Sequence, residues 1–227
     1  MRNIVLIIFF ALVSGQYLLA QSEWKKDRKT YELSASEKEY PLYILYRGVH
    51  NDYKYDEESN FICDITFHEI VRVNNDKALS ERNRIYISMY NAIDLLDLQA
   101  RAISPDGKIT SLDQKNIKEI EDENSTGYKI FAVEGAEVGG EIEYRYVKRV
   151  QGSVFNSEQV QFNAPLKKME FGLKAPQNLE WGFRTVNDTT QVRQVDDSEE
   201  INEYAATFAD VPAFVAESFA AGEPNRK

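Results

Sequence analysis

Residues 61–73, with the sequence FICDITFHEIVRV, carry the pattern that decides the fold of this chain. Apolar side chains occupy one set of alternate positions, interrupted only by Glu69, while Asp64, His68 and Arg72 stand in the other set. Because successive side chains of a strand point to opposite faces of a sheet, this spacing predicts a β-strand with one apolar face and one polar face.

The same alternation recurs along most of the chain, at intervals typical of hairpins. Alternating segments occupy residues 84–89, 96–102, 141–146, 160–162, 169–173 and 179–183. The turn sequence Ser104-Pro105-Asp106-Gly107 separates two of them. No regular series of helices intervenes, so we expect an all-β fold, an antiparallel β-sandwich that spans residues 41–209.

The last residues, 210–227, change to a helical period. Val211, Phe214, Val215 and Phe219 form one apolar stripe at helical spacing, and Asp210 stands where an N-cap is expected. This pattern predicts a short C-terminal helix. We interpret it as a connector to a downstream domain that the chain lacks.

The first residues, 1–20, resemble a secretory signal. Arg2 precedes an apolar run over residues 4–13, and small residues lead to Ala20. The run is too short for a comfortable membrane span, so we expect cleavage near Ala20 and a mature protein that does not cross the membrane. The protein would then reside in the periplasm or at the cell surface. Residues 21–40 are polar and are expected to form a mobile or partly helical lead-in.

Composition narrows the classes of function. The 227 residues carry a net charge of −10, which argues against binding nucleic acid. A single cysteine excludes a disulfide framework and a multi-cysteine zinc site. The chain contains no nucleotide-binding or metalloprotease motif, so no cofactor and no metal are expected.

The best candidates for catalysis do not fit together. Cys63 and His68 lie five residues apart on one predicted strand, and odd spacing sends their side chains to opposite faces. We therefore expect Cys63 in the core and His68 on a solvent-facing or cross-strand position. Glu141 and Glu143 are expected on exposed strand faces, in cross-strand ion pairs. The sequence predicts no catalytic residue.

Aromatic residues offer a candidate binding surface. Tyr43, Tyr46, Tyr53, Tyr55 and Trp181 would be able to form an aromatic patch for an extracellular polymer or protein. Ordinary packing in the core is the competing interpretation for each of them.

Four segments together resemble a known family. They are FHEIVRV at 67–73, LQARAISPDGK at 98–108, FAVEGAEVGGEIEYRY at 131–146, and DVPA at 210–213. They look like the domain of unknown function that precedes transglutaminase-like domains in exported bacterial proteins. The resemblance implies a β-sandwich, an exported location and a downstream transglutaminase-like partner that carries the catalytic Cys, His and Asp. It assigns no catalytic residue to this chain.

Three functions remain open from the sequence. The first is an exported, non-catalytic accessory or binding domain that precedes a transglutaminase-like domain. The second is a stand-alone hydrolase or transglutaminase-related enzyme that uses carboxylates or His50. The third is a structural module of the cell envelope that binds an extracellular polymer.

Overall fold

The computed structural model describes residues 24, 28–120, 127–196, 198 and 200–215. The signal sequence predicted for residues 1–20 lies outside the described residues. Two short α-helices and a single turn of 3₁₀-helix, Gln114–Asn116, accompany eleven strands in this part of the chain. The helices and strands, in chain order, are α1 Ala35–Lys38, β1 Leu42–Tyr55, β2 Phe61–Val73, α2 Asp76–Arg82, β3 Arg84–Ser88, β4 Ala92–Ile103, β5 Ile109–Ser111, β6 Lys118–Ile120, β7 Tyr128–Ala132, β8 Glu141–Gln151, β9 Leu166–Pro176, β10 Arg193–Asp196 and β11 Ile201–Val211.

The predicted all-β sandwich is confirmed. One sheet has eight strands in the order β10-β11-β9-β1-β2-β8-β4-β5, and a second has three in the order β3-β7-β6. Every pair is antiparallel except β1 and β9, which run parallel. The parallel pair places the two long strands side by side in the middle of the large sheet.

The two sheets enclose the main core. On the face of the large sheet that we call the inner face, Phe67, Val71 and Ile142 pack in one cluster with residues of the small sheet. From the small sheet, Ile85, Ile87 and Phe131 are buried in that cluster. The alternation in residues 61–73 therefore directs its apolar set inward, as the sequence predicts.

The opposite, outer face of the large sheet is covered as well. A segment that we call the N-terminal arm, residues 28–40, packs there and buries Leu33 against Tyr43, Tyr46 and Ile70. The arm contains α1, which begins at a capping box in which Ser34 and Glu37 satisfy each other's backbone N–H groups. Both faces of β2 are consequently buried over most of its length.

Two alternating segments do not form strands. Residues 160–162 and 179–183 lie in two long loops, 152–165 and 177–192, that cross the inner face beside the small sheet. Val160, Leu179 and Phe183 point to the core without a neighbouring strand to pair with. The apolar alternation correctly predicted that these side chains pack against the core. It wrongly predicted that the backbone of these segments pairs as strands.

The helix expected to begin at Asp210 is absent from residues 210–215. β11 continues through Val211, which pairs with Leu166 of β9, and residues 212–215 are not helical. Asp210 adopts a left-handed φ of 51°, which no α-helix contains. The remainder of the predicted connector, residues 216–227, lies outside the described residues.

Across the described ranges, we find no helix with both the length and the apolar character needed to cross a membrane.

Candidate functional site

A cavity of about 630 Å³ opens on the inner face, between the sheet and the two long loops. We call it the loop cavity and define it by residues of β9, β1 and β11 together with parts of loops 152–165 and 177–192. Its volume lies within the range of about 300–1,000 Å³ that is typical of small-molecule sites.

Strand parity builds the floor of the loop cavity. Met169, Phe171 and Leu173 occupy alternate positions of β9 and all line the cavity, with Phe208 of the neighbouring β11 beside them. Because side chains two residues apart share one face of a strand, the floor is almost wholly apolar.

One polar side chain interrupts this floor. Asn51 of β1 is only 2% exposed and lines the cavity, and its Oδ1 atom has no hydrogen-bond partner among the described residues. An unpaired buried amide destabilises a protein by about 1–3 kcal/mol. Such a group in a cavity calls for an explanation, because buried polar groups are nearly always paired.

Trp181 supplies a second unpaired polar atom in the wall. Its Nε1 atom is buried without a hydrogen-bond partner in the described part of the chain, and the residue lines the cavity. The indole ring rests on Tyr53, with ring centroids 4.7 Å apart, and the Trp181 backbone N–H donates to Tyr204 Oη at 3.5 Å. Tyr53 in turn stacks on Phe61, so an aromatic series holds the indole in place.

The outer face carries a second constellation, which we call the outer-face ionic cluster. Its members are Arg28, His68, Arg72, Arg101, Glu141 and Glu143. Glu143 Oε2 accepts a hydrogen bond from Arg101 Nε at 2.8 Å, and Glu143 Oε1 lies 2.9 Å from His68 Nε2. Glu141 Oε1 accepts a hydrogen bond from Arg72 Nη2 at 2.7 Å.

The outer-face ionic cluster fastens the N-terminal arm to the sheet. Arg28 lies 2.6 Å from Glu141 Oε2 and 3.0 Å from Glu143 Oε2, and the Tyr31 N–H donates to Glu141 Oε1 at 2.7 Å. The Arg101 guanidinium lies 4.3 Å from the ring centroid of Trp24. The cluster therefore joins the chain before β1 to β2, β4 and β8.

Electrostatics keep Glu143 ionised in this buried position. Burial by itself raises the pKa of Glu143, but the hydrogen bond from His68 and the positive charges of Arg28 and Arg101 outweigh burial. The net effect lowers the pKa of Glu143 to about 2. A carboxylate held this firmly in its charged form suits an anchoring role and is unsuited to proton transfer near neutral pH.

Sequence comparison identifies the family. The family described as "Domain of Unknown Function with solved-structure structure (DUF3857)" matches residues 63–215, from β2 to just beyond β11. This chain is a member of the DUF3857 family. No curated protein matches the DUF3857 chain.

Solved structures support the fold of the DUF3857 domain. A protein from Parabacteroides distasonis ATCC 8503 named "putative protease" superposes with a TM-score of 0.67 at 14% identity, covering 81% of this chain. The chain spans 38% of the length of that protein. A two-domain M1 zinc metallopeptidase bound to L-tryptophan matches at a TM-score of 0.36 and 7% identity, covering 75% of this chain and 39% of that one, a likeness too weak to support any argument.

The cysteine of the DUF3857 domain lies where strand parity predicts. Cys63 is 1% exposed on the inner face, and burial, together with the negative charges of Asp52 and Asp64, raises its pKa to about 12. His68, on the opposite face, points into the outer-face ionic cluster. The thiol therefore stays protonated at neutral pH, out of reach of that imidazole.

Two predictions about exposure were wrong. Glu141 and Glu143 were expected on exposed strand faces, and both are buried. Their cross-strand ion pairs are confirmed, with Arg72 and Arg101 as partners. His68, expected on a solvent-facing or cross-strand position, takes the second of these and pairs with Glu143 of the neighbouring strand. The physical reason for the burial is the N-terminal arm, which covers the polar face of β2 and β8.

The five aromatic residues of the predicted binding surface are divided between the two faces. Tyr43 and Tyr46 are buried on the outer face, where the Tyr46 hydroxyl donates to Glu170 at 2.8 Å. Tyr53 is buried on the inner face behind Trp181, and Tyr55 is 48% exposed at the end of β1. They do not form one surface, and only Trp181 lines the loop cavity.

Sequence reasoning missed Asn51, the most informative residue of the cavity. The available signal was a polar residue in the apolar set of β1, between Val49 and Tyr53. The described residues hold no group of three or more His, Cys, Asp or Glu side chains arranged to bind a metal ion.

Proposed function

We propose that this DUF3857 domain is a non-catalytic binding domain of an exported protein, and that the loop cavity is its ligand site. The observation that carries the proposal is the unpaired Oδ1 atom of Asn51, a residue that lines the loop cavity beside its apolar floor. An unpaired amide oxygen lowers the stability of the free protein, and a ligand that donates a hydrogen bond to it would remove this destabilisation.

The chemistry of the remaining candidates supports binding over catalysis. Cys63 is buried with a pKa raised to about 12, so its nucleophilic thiolate form is scarce at neutral pH. His50 alternates with Asn51 along β1, so it lies on the face opposite to the loop cavity and to Cys63, and it does not line that cavity. The Glu143 carboxylate is occupied by His68, Arg28 and Arg101.

We further infer that the domain works beside a transglutaminase-like catalytic domain, to which it presents its ligand. The support is the resemblance carried by residues 67–73, 98–108, 131–146 and 210–213. The larger size of the structural relative, of which this chain spans 38%, is compatible with such an arrangement. Placement in the periplasm or at the cell surface rests on the signal-like residues 1–20.

A ligand screen by thermal shift tests the binding function. The probes are N-acetyl amino acid amides and soluble oligosaccharides, added to the predicted mature form, residues 21–227, and to its Asn51→Leu variant. We expect at least one probe to raise the melting temperature of the parent protein and to leave that of the variant unchanged. Equal responses from the two proteins, or no response from either, would overturn the proposal.

A further inference from the structure

The geometry points to the class of ligand: we propose that the loop cavity takes a bulky apolar side chain of a peptide, while the adjoining peptide amide pairs with Asn51. This inference rests on the proposed binding function and specifies its ligand. It follows from three properties of the cavity: its apolar floor, the two unpaired buried polar atoms of its lining residues, and the apolar residues at its mouth.

The apolar lining defines the volume in which a side chain fits. Phe171, Leu173 and Met169 form the floor, and Phe183 packs edge-on against Phe171 with ring centroids 6.0 Å apart. An aromatic or long aliphatic group of the ligand would remove this surface from water. The hydrophobic effect would then provide most of the affinity.

The buried polar atoms match one peptide unit. Among the described lining residues, Asn51 Oδ1 and Trp181 Nε1 are buried and unpaired, which provides one acceptor and one donor. A peptide group carries one N–H donor and one C=O acceptor, which are the chemical complements of these two atoms. A sugar ring brings several hydroxyl groups, and those set against the apolar floor of Met169, Phe171 and Leu173 would be desolvated without partners.

The mouth of the cavity extends the apolar contact. Phe155 is 88% exposed, and Val154 and Val186 are also exposed, on the two loops that frame the opening. Exposed apolar residues concentrated around one opening are typical of an interaction site. They would contact the peptide residues that flank the inserted side chain.

Charge at the mouth favours neutral or cationic peptides. Glu158 and Asp188 line the opening together with one cationic residue, Arg184. The whole chain has a net charge of −10, so an acidic peptide would be repelled during approach.

Isothermal titration calorimetry with four probes tests this inference. The probes are N-acetyl-phenylalanine amide, N-acetyl-serine amide, ethylbenzene and cellobiose. We expect N-acetyl-phenylalanine amide to bind most tightly, because it alone combines the bulky apolar group with peptide amides. The serine and ethylbenzene probes each lack one of the two features and are expected to bind about tenfold more weakly or worse.

Three variants locate the binding. Asn51→Leu removes the amide, and Trp181→Phe keeps the aromatic ring and removes the N–H donor. Each is expected to weaken the binding of N-acetyl-phenylalanine amide by about tenfold, which is the effect of one lost hydrogen bond in a buried site. Asn178→Leu makes the same change as the first variant on an exposed residue outside the cavity, and is expected to leave the affinity unchanged.

The outcomes separate the ligand class from the binding function. If cellobiose binds more tightly than the phenylalanine probe and depends on Asn51, the peptide class is wrong and the binding function stands. If ethylbenzene binds as tightly as the phenylalanine probe, the proposed pairing of Asn51 with a peptide amide is wrong. If all four probes bind the Asn51→Leu variant as they bind the parent, both proposals fail.

Discussion

The imidazole of His68 lies 2.9 Å, from Nε2 to Oε1, from the Glu143 carboxylate, on the face of β2 opposite to the Cys63 thiol. This pairing draws the histidine into the outer-face ionic cluster, which fastens the N-terminal arm to the sheet. The only cysteine of the chain is left in the apolar core. The two residues that most suggest catalysis therefore lie on opposite faces of the sheet, out of contact with each other.

Cys63 is expected to be unreactive in the folded protein. Its thiol is buried and its pKa is raised to about 12, so both access and thiolate formation are suppressed. Reaction with Ellman's reagent at pH 8 should be roughly a hundredfold slower in buffer than in 6 M urea. Similar rates under the two conditions would show that the thiol is accessible and would contradict the assigned position.

Glu143→Gln is expected to destabilise the protein by about 3 kcal/mol, because it removes one partner of a buried ion pair and leaves Arg28 and Arg101 short of negative charge. The measurement is the free energy of unfolding in urea. Glu119→Gln is the matched control, since Glu119 is exposed and pairs with Lys129 on the surface. The control should change stability by less than about 1 kcal/mol. Equal effects of the two substitutions would refute the anchoring role.

Stability should fall in acid through Glu143. Its pKa is lowered from an ordinary value of 4.5 to about 2 in the folded protein. The folded state therefore binds a proton less readily than the unfolded state, and this stabilisation is complete above pH 4.5 and is lost as the pH falls from 4.5 towards 2. A shift of this size corresponds to about 3 kcal/mol. Urea unfolding measured at intervals between pH 4.5 and pH 2 should show a fall in the free energy of unfolding of the parent protein. The fall should be smaller in the Glu143→Gln variant. Parallel pH profiles would argue against the assigned pKa.

Asn51→Leu is expected to raise the stability of the ligand-free protein by about 1 kcal/mol, because it replaces an unpaired buried amide with an apolar group. Asn202→Leu provides the contrast. Asn202 Nδ2 donates to the carbonyl oxygens of Gln177 and Leu179, so its loss should destabilise by about 1–3 kcal/mol. The melting temperatures of the two variants, compared with that of the parent protein, check both expectations. Destabilisation by Asn51→Leu would indicate that the amide has a structural role in the free protein.

Local alternation was enough to predict β2, β4, β8 and β9 of the large sheet and β3 of the small sheet. The apolar set of β2 faces inward, the turn at 104–107 forms with Gly107 at a φ of 89°, and Cys63 is buried as its parity requires. These features depend on side-chain period and on local backbone preference, both of which are present in the sequence itself.

Alternation does not predict which distant segments of the chain cover a given face of the sheet. Nothing in the alternation at 141–146 shows that the N-terminal arm will bury Glu141 and Glu143, because the arm lies more than a hundred residues away in sequence. The alternation at 179–183 likewise does not reveal that no strand is available to pair with it. The loop cavity arises from such long-range packing, so the local signal at Asn51, a polar residue in the apolar set of β1, does not by itself reveal a site.

NMR spectroscopy of the Asn51 side-chain amide tests the central claim most directly. The ¹⁵N-labelled protein is titrated with N-acetyl-phenylalanine amide while the Asn51 Nδ2–H₂ and Trp181 Nε1–H resonances are followed. The account predicts saturable shifts of both resonances with a single dissociation constant, and little change at Tyr31 of the N-terminal arm. Unchanged Asn51 and Trp181 resonances at saturating probe would contradict it.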